Sequence, residues 1–307
     1  MALGFVFPGQ GSQSLGMLAE LADKFPIVQQ TFAVASDVLS YDLWQLVQQG
    51  PESKLNETQH TQPALLTSSV AIWRVWNENQ GDHPTIMAGH SLGEYSALVC
   101  AGAMKLEDAI TLVAKRGEYM QEAVPAGEGS MAAILGLSDE QVKSACNDAA
   151  QGEVVAAVNF NAPGQVVIAG SSAAVDRAME LCKESGAKRA LKLSVSAPSH
   201  CQLMAPAAER LKERLLKTEI STPSIPVINN VDVAMESDAD RIRDALVRQL
   251  CNPVRWVETI EAMANEGVDR LIECGPGKVL VGLNKRINKE MTVLPVFSPD
   301  TIEQALQ

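Results

Sequence analysis

An α/β fold with a smaller inserted subdomain is predicted by two features of the chain. Short apolar segments alternate with longer amphipathic ones, and in the middle of the chain this alternation gives way to shorter elements. Alternating strands and helices are typical of a parallel sheet covered by helices. With 307 residues, 46% of them hydrophobic, the chain can form one large core or about two domains of ordinary size.

The first part of the chain predicts strands that run into glycine-rich loops. The predicted elements are a strand at 4–7, helices at 27–39 and 64–79, a strand at 85–88, and helices at 94–99 and 106–124. Pro63 is assigned to the first turn of its helix, where the missing N–H costs nothing. Trp73 and Trp76 lie on the apolar stripe of this helix, which predicts that they are core residues.

The middle of the chain predicts a separate subdomain. The elements there are a strand at 131–137, a helix at 140–149, strands at 154–159 and 165–169, a helix at 173–185 and a strand at 190–195. This β-α-β-β-α-β order is the ferredoxin-like pattern, and it predicts a small subdomain at 129–196 inserted into a large one at 1–128 and 197–307. Helices at 206–217 and 240–250 and strands at 226–229 and 270–273 then resume the α/β alternation.

Gly89-His90-Ser91-Leu92-Gly93 is the strongest chemical motif of the chain. It stands where a predicted strand runs directly into a predicted helix. A serine in this G-x-S-x-G context sits on a sharp turn that presents its hydroxyl at the edge of the sheet. Ser91 is therefore the candidate nucleophile.

A serine hydroxyl needs a base, and His200 is the best candidate among four histidines. It follows the last strand of the predicted small subdomain, at the return into the large one, whereas His60 and His83 lie in predicted polar loops. His90 is the chain neighbour of the serine, which usually directs a side chain away from it. A histidine held by a carbonyl in a purely structural role is the alternative for His200.

The partners of this pair are less well defined by the sequence. No Asp occurs in an elbow or strand-end context, so a backbone carbonyl could orient the imidazole in place of a carboxylate. The amide of Leu92, together with an amide of the Gly9-Gln10-Gly11 loop, could stabilise the oxyanion. An ordinary polar loop residue is the alternative for Gln10.

Arg116 falls at the rim of the apolar face of its predicted helix. A guanidinium turned inward there would bind a carboxylate through paired hydrogen bonds, whereas one turned outward would only cover the rim. Helical spacing alone supports both interpretations equally.

Composition excludes several classes of function. The net charge of −12 argues against a general binder of nucleic acid or anionic membranes. The six cysteines form no C-x-x-C pair and no zinc spacing is present, so free thiols in a reducing cytoplasm are expected. The glycine spacing after the first strand lacks the third glycine of a dinucleotide fingerprint, and no apolar run is long enough to span a membrane.

Ordered motifs along nearly the whole chain resemble one family, the malonyl-coenzyme A:acyl carrier protein transacylases of bacterial type II fatty-acid synthesis. The segments that carry this resemblance are 7–13, 61–65, 89–95, Arg116, 159–165, 198–200, 229–231, 249–254 and 275–280. The resemblance implies a three-layer, hydrolase-like parallel-sheet core with the ferredoxin-like insertion. It also implies a ping-pong reaction that passes through a malonyl-serine ester, without metal or cofactor.

The resemblance assigns roles to individual residues. Ser91 would attack the thioester, His200 would be the base, and the backbone carbonyl of Gln249 would orient His200. The amides of Gln10 and Leu92 would form the oxyanion hole. Arg116 would pair with the free carboxylate of the malonyl group.

The implied partners are malonyl-coenzyme A and an acyl carrier protein, which in such pathways is acidic. Two basic clusters could dock it: a small-subdomain patch of Lys183, Lys188, Arg189 and Lys192, and a C-terminal patch of Lys278, Lys285, Arg286 and Lys289. Lys188, Arg189, Lys285 and Arg286 are the selected docking residues, with ordinary solvated faces as the alternative.

Two other functions remain as alternatives. A thioesterase or esterase on the α/β-hydrolase fold would share the serine motif, but its acid would lie between the serine and a histidine near the C-terminus. An inactive carrier-docking module is the other, and the presence of Ser91, His200, Gln10 and Arg116 argues against it.

Overall fold

A computed structural model describes residues 2–194 and 197–307. The strands of these residues are β1 (Ala2–Phe7), β2 (Ile86–Gly89), β3 (Gly129–Leu135), β4 (Val155–Ala162), β5 (Gln165–Ser171), β6 (Arg189–Lys192), β7 (Val227–Ile228), β8 (Val268–Cys274) and β9 (Thr292–Val296). The helices are α1 (Ala19–Lys24), α2 (Pro26–Leu39), α3 (Leu43–Gln49), α4 (Glu52–Leu55), α5 (Thr58–Glu78), α6 (Gly93–Cys100), α7 (Leu106–Ala123), α8 (Asp139–Ala150), α9 (Ser172–Glu184), α10 (Ala205–Leu215), α11 (Ala239–Gln249), α12 (Trp256–Asn265), α13 (Val279–Ile287) and α14 (Pro299–Leu306).

A parallel five-stranded sheet forms the main layer, in the order β7-β2-β1-β8-β9. β1 lies at its centre and is a nearly continuous apolar run, as expected for a strand covered on both faces. Phe5 and Phe7 belong to the core on one face, and Val6 to the core on the other. The carboxyl ends of the parallel strands therefore open onto one edge, which positions the loops that follow β1 and β2.

Helices cover both faces of this sheet, so the large part of the molecule has three layers. On one face α5 and α7 pack together, and the ring of Phe5 meets Trp73 and Trp76 edge-on at 5.2 and 5.3 Å. These tryptophans are 8% and 1% exposed, which confirms the prediction that they belong to the core. The other face is covered by α12 and α13.

The small antiparallel sheet has the order β4-β5-β3-β6, with α8 and α9 packed on one face. This arrangement is the ferredoxin-like order predicted from the alternation of elements. The strand predicted at 190–195 ends at Lys192 in the structure, and its last residue, Val195, lies outside the described residues.

Backbone hydrogen bonds join the small sheet to the large part of the molecule. Phe160 N–H donates to the carbonyl of Val254 at 3.0 Å, and Val254 N–H donates to the carbonyl of Val158 at 2.9 Å. Val254 belongs to the loop that follows α11. Since β4 holds this loop, the end of α11 is fixed relative to the small sheet.

The predicted elements differ from those of the structure at several places. The helix predicted from 64 begins at Thr58, and Pro63 lies inside it instead of in its first turn. Buried packing along nearly the whole of α5 outweighs the one hydrogen bond that the proline cannot donate. His60 accordingly lies in a helix, where a loop was predicted.

β9 was not predicted because Pro295 interrupts its pattern. A proline is tolerated there since β9 is an edge strand.

Candidate active site

Ser91 lies in the tight turn between β2 and α6, as the motif predicts. Its φ of 53° is in the left-handed region that side chains other than glycine rarely adopt. A Cβ atom on Gly89 would lie 1.8 Å from the carbonyl carbon of Gly93, and one on Gly93 would lie 2.0 Å from the carbonyl oxygen of Phe7. Only glycine fits at either position, so close packing of strand, turn and helix fixes the elbow.

His200 is brought directly to this serine. Its Nε2 lies 2.7 Å from Ser91 Oγ, and its Nδ1 lies 2.7 Å from the backbone carbonyl oxygen of Gln249. Because a carbonyl only accepts, the proton of the neutral imidazole is on Nδ1 and the lone pair of Nε2 faces the serine hydroxyl. Burial and, secondarily, the positive charge of Arg116 lower the pKa of His200 to about 3. His200 is therefore neutral and able to accept a proton at neutral pH.

Arg116 completes this cluster with its guanidinium turned inward, which is one of the two orientations that the sequence left open, although it is buried and does not lie at a rim. Its side chain is only 1% exposed. Nη1 donates to Gln62 Oε1 and Nη2 to Gln249 Oε1, each at 3.0 Å, and Nη2 lies 3.4 Å from Ser91 Oγ. These partners are all neutral, so within the described part of the chain no carboxylate is bonded to the buried guanidinium.

The burial of Arg116 follows from the close contact of two helices. A Cβ atom on Gly117 would lie 2.6 Å from the Cα of Gln59, so α7 lies against the start of α5 at a distance that only glycine permits. Sequence periodicity indicated the face of α7 on which Arg116 lies but could not show that α5 covers it. Burial lowers the pKa of Arg116 from its usual value, yet arginine stays charged in proteins.

The two predicted oxyanion donors border the same cavity as Ser91. Leu92 precedes the first residue of α6, so its N–H is among the first amides of a helix, which have no intrahelical acceptor. A Cβ atom on Gly9 would lie 2.6 Å from the carbonyl oxygen of His90, which shows how closely the loop after β1 approaches the elbow. Gln10 follows in this loop, and its side chain donates to Thr58 Oγ1 at 3.4 Å.

Asn230 supports the elbow, a role that the sequence analysis missed. It is fully buried just after β7, and its Oδ1 accepts the N–H of Ser91 at 2.7 Å. Its Nδ2 donates to the carbonyl of Gly89 at 2.6 Å. Two sequence features could have indicated this role: Asn230 follows a strand that ends at the same sheet edge as β2, and it belongs to segment 229–231, which carries the family resemblance.

Both sheets contribute to the cavity, whose volume is about 170 Å³. His90 Nε2 lies 2.7 Å from Oδ1 of Asn161, which belongs to β4 and lines the cavity from the small-sheet side. Gln62, Met120 and Met131 also line it. The site is thus a narrow pocket with a nucleophile, a neutral base and a buried cation.

The selected docking residues all lie on the surface, at the junction of the two sheets. Lys188, Arg189, Lys285 and Arg286 are exposed. Arg286 Nη2 donates to Gln165 Oε1 at 2.5 Å, next to Gly164, whose carbonyl accepts the N–H of Gly136 at 2.8 Å. A Cβ atom on Gly136 would lie 2.7 Å from the side chain of Lys188. One turn of the small sheet therefore separates two basic pairs, Lys188 with Arg189 and Lys285 with Arg286.

Two further features of the described residues concern membrane-spanning helices and groups of side chains that could bind a metal ion. None of the helices within 2–194 and 197–307 is both long enough and apolar enough to cross a membrane. Over the same residues, His, Cys, Asp and Glu side chains form no group of three or more suited to a metal ion.

Comparison with known proteins gives consistent matches over nearly the whole chain. Residues 4–305 match the family model described as the acyl transferase domain. The malonyl CoA-acyl carrier protein transacylase of Salmonella typhimurium is 60% identical over 302 residues, which is 98% of both chains. The crystal structure of an acyl carrier protein S-malonyltransferase from Vibrio cholerae is 60% identical, with a TM-score of 0.97 over 99% of each chain. A malonyl-transacylase in complex with its type II PKS acyl-carrier protein is 59% identical, with a TM-score of 0.99 over 100% of this chain and 99% of that one.

Proposed function

The chain belongs to the acyl transferase family, and we infer that it moves a malonyl group from coenzyme A to the phosphopantetheine thiol of an acyl carrier protein. One observation carries this conclusion: Arg116, a buried cation with neutral partners, lies 3.4 Å from a serine hydroxyl that is bonded to a neutral histidine. A serine-histidine pair suits acyl transfer in general, and the adjacent guanidinium suits an acyl group that ends in a carboxylate.

The first half-reaction forms an ester on Ser91. The hydroxyl oxygen attacks the thioester carbonyl carbon while His200 Nε2 takes its proton. The negative charge on the carbonyl oxygen is stabilised by the amides of Leu92 and Gln10, which border the cavity. The carbon–sulfur bond then breaks, and the sulfur of coenzyme A leaves with the proton from His200.

The second half-reaction repeats these steps in reverse. The phosphopantetheine thiol of the carrier gives its proton to His200, and its sulfur attacks the ester carbonyl. The ester C–O bond breaks, and Ser91 recovers the proton. The carbonyl of Gln249 accepts from Nδ1 at 2.7 Å throughout, which keeps the imidazole in the required tautomer and stabilises its protonated form.

Arg116 binds the malonyl carboxylate. The carboxylate of a malonyl ester is separated from the ester carbonyl by a single methylene, so it must lie close to Ser91 Oγ, as the guanidinium does. Both groups are withdrawn from water, which strengthens the charge-assisted hydrogen bonds between them. This pairing also fixes the acyl chain so that the ester is held in position for the incoming thiol.

The carrier docks on the basic surface formed by Lys188, Arg189, Lys285 and Arg286. The net charge of −12 repels an acidic partner at long range, so attraction must come from a local cluster of opposite charge. The two basic pairs flank one turn of the small sheet, which supports their action as one docking surface.

The remaining features of the proposal concern organisation and location. The division into a large part (1–128 and 197–307) and a small one (129–196) places the substrate cleft between them. Ser91 and His200 suffice for every proton transfer, so the reaction needs no metal or cofactor. Six free cysteines, with coenzyme A and carrier substrates, support a cytoplasmic location.

A single-turnover experiment tests the function. The protein is mixed briefly with malonyl-coenzyme A, freed of excess ligand, and given holo carrier protein or buffer, with Ser91→Ala as the control. We expect a malonyl adduct on the wild type alone, discharged rapidly onto the carrier and slowly into buffer. An adduct lost equally fast in buffer would identify a thioesterase, and the absence of any adduct would indicate a docking module.

A further inference from the structure

Two oppositely charged side chains are buried at the site without touching each other. Glu94 and Arg116 are 2% and 1% exposed, and the side-chain amide of Gln249 lies between them. Gln249 Nε2 donates to Glu94 Oε2 at 2.8 Å, and its Oε1 accepts from Arg116 Nη2 at 3.0 Å. The same Nε2 lies 3.1 Å from the carbonyl oxygen of Ser91.

These contacts determine the orientation of the Gln249 amide. Arginine can only donate and a backbone carbonyl can only accept, so the amide oxygen must face Arg116 and the amide nitrogen must face Ser91. Glu94 supplies a second acceptor on the nitrogen side. The carboxylate therefore holds the amide that in turn holds the guanidinium.

The same oxygen of Glu94 also acts on the elbow. Oε2 accepts the N–H of Asn230 at 2.9 Å, and the side chain of Asn230 bonds to the N–H of Ser91 and the carbonyl of Gly89. Ser91 has a φ of 53°, so these bonds hold a backbone conformation that is unfavourable by itself.

Burial of Glu94 is unfavourable and calls for an explanation. A glutamate in the first turn of a helix interacts favourably with the helix dipole even when exposed, so that interaction does not require an inward orientation. Desolvation raises the pKa of this carboxyl to about 7. The side chain is nevertheless turned toward Gln249 and Asn230, the two residues that contact Arg116 and Ser91.

We propose that Glu94 is a positioning residue for malonyl transfer: through Gln249 it holds Arg116 in its carboxylate-binding orientation, and through Asn230 it holds Ser91 on the elbow. The inference rests on the proposed pairing of Arg116 with the malonyl carboxylate. It predicts that loss of the accepting oxygen impairs malonyl transfer more than transfer of an uncharged acyl group, which needs the elbow but not Arg116.

Two variants separate hydrogen bonding from charge. Glu94→Gln keeps an oxygen where Oε2 lies, so it can still accept from both Gln249 and Asn230 while carrying no charge. Glu94→Ala removes the acceptor altogether. Glu94→Asp, which keeps the charge but withdraws the carboxylate by one methylene, replaces Glu94→Ala if that variant fails to fold.

A matched control is provided by Glu273, which is also completely buried. Its carboxylate accepts the N–H groups of Leu280 and Val281 at the start of α13, and within residues 2–194 and 197–307 it forms no hydrogen bond with Ser91, Glu94, Arg116, His200, Asn230 or Gln249. Glu273→Gln should lower the melting temperature and leave the selectivity for malonyl unchanged.

The test measures kcat/KM for acylation by malonyl-coenzyme A and by acetyl-coenzyme A, which lacks the carboxylate. We expect Glu94→Ala to lower the malonyl rate at least tenfold and the ratio of malonyl to acetyl at least fivefold, and Glu94→Gln to stay within about threefold of the wild type for both substrates. An unchanged ratio in Glu94→Ala, or a Glu94→Gln variant as impaired as Glu94→Ala, would overturn the proposal. A wild type with no preference for malonyl would instead overturn the proposed function on which it rests.

Discussion

Replacement of Arg116 by alanine gives the sharpest test of how the site selects its acyl group. The guanidinium is 1% exposed, so its bond to a substrate carboxylate forms almost out of contact with water. Removal of one partner of a buried, hydrogen-bonded charge pair costs about 2 to 5 kcal/mol. Since the cavity leaves the substrate side partly open, we take about 3 to 4 kcal/mol, which at about 1.4 kcal/mol per factor of ten lowers kcat/KM for malonyl roughly 140- to 720-fold.

The assay compares acylation by malonyl- and acetyl-coenzyme A in Arg116→Ala and in Lys115→Ala. Lys115 is the neighbour of Arg116 on α7, but it forms a surface ion pair with Glu118, so its removal should leave both rates unchanged. Arg116→Ala should leave acetyl transfer within about fivefold of the wild type, because that substrate offers no carboxylate. Equal losses for the two substrates would refute the pairing and assign Arg116 a structural role.

Three further predictions follow from the same geometry. The pKa of His200 is lowered to about 3, and the base must be neutral to accept a proton. The rate of single-turnover acylation should therefore stay constant from about pH 8 down to about pH 5. A fall in this rate near pH 6.5 would contradict the assignment of His200 as a base with a lowered pKa. Lys285→Glu combined with Arg286→Glu should raise KM for the carrier several-fold without changing the rate of acylation by malonyl-coenzyme A. The control Lys217→Glu, on another exposed surface, should change neither the carrier KM nor the acylation rate. An unchanged carrier KM in the double variant would exclude this part of the surface. Gly89→Ala should lower the free energy of unfolding by more than about 3 kcal/mol in chemical unfolding, because its Cβ would overlap Gly93. The control Gly282→Ala, where a Cβ meets open space in α13, should be neutral or slightly stabilising. Similar unfolding free energies for the two variants would show that the elbow can relax.

The sequence predicted the elbow well because its determinants are local. Ser91, its flanking glycines, and the preceding strand and following helix are adjacent in the chain, so a few residues contain the whole motif. The small antiparallel sheet was predictable for a similar reason, since its four strands and two helices follow one another without interruption.

The partners of Ser91 depend on contacts between distant parts of the chain, and the residues alone could not predict them all. The carbonyl of Gln249 has no side-chain chemistry to recognise, and only the family resemblance indicated it. Arg116 was expected at a rim because the pattern of α7 does not show that α5 covers it. Asn230 and Glu94 meet across 136 residues of sequence, so their connection is visible only in the folded structure.

The central claim is that the malonyl group is carried on Ser91 after proton transfer to His200. The most direct measurement is a rapid-quench reaction with malonyl-coenzyme A, followed by proteolysis and mass mapping, on the wild type and on His200→Ala. We predict a single malonylated site at Ser91 in the wild type within the first turnover, and its near absence from His200→Ala on the same timescale. Malonyl found on another residue, or formed at Ser91 equally fast without His200, would contradict the account.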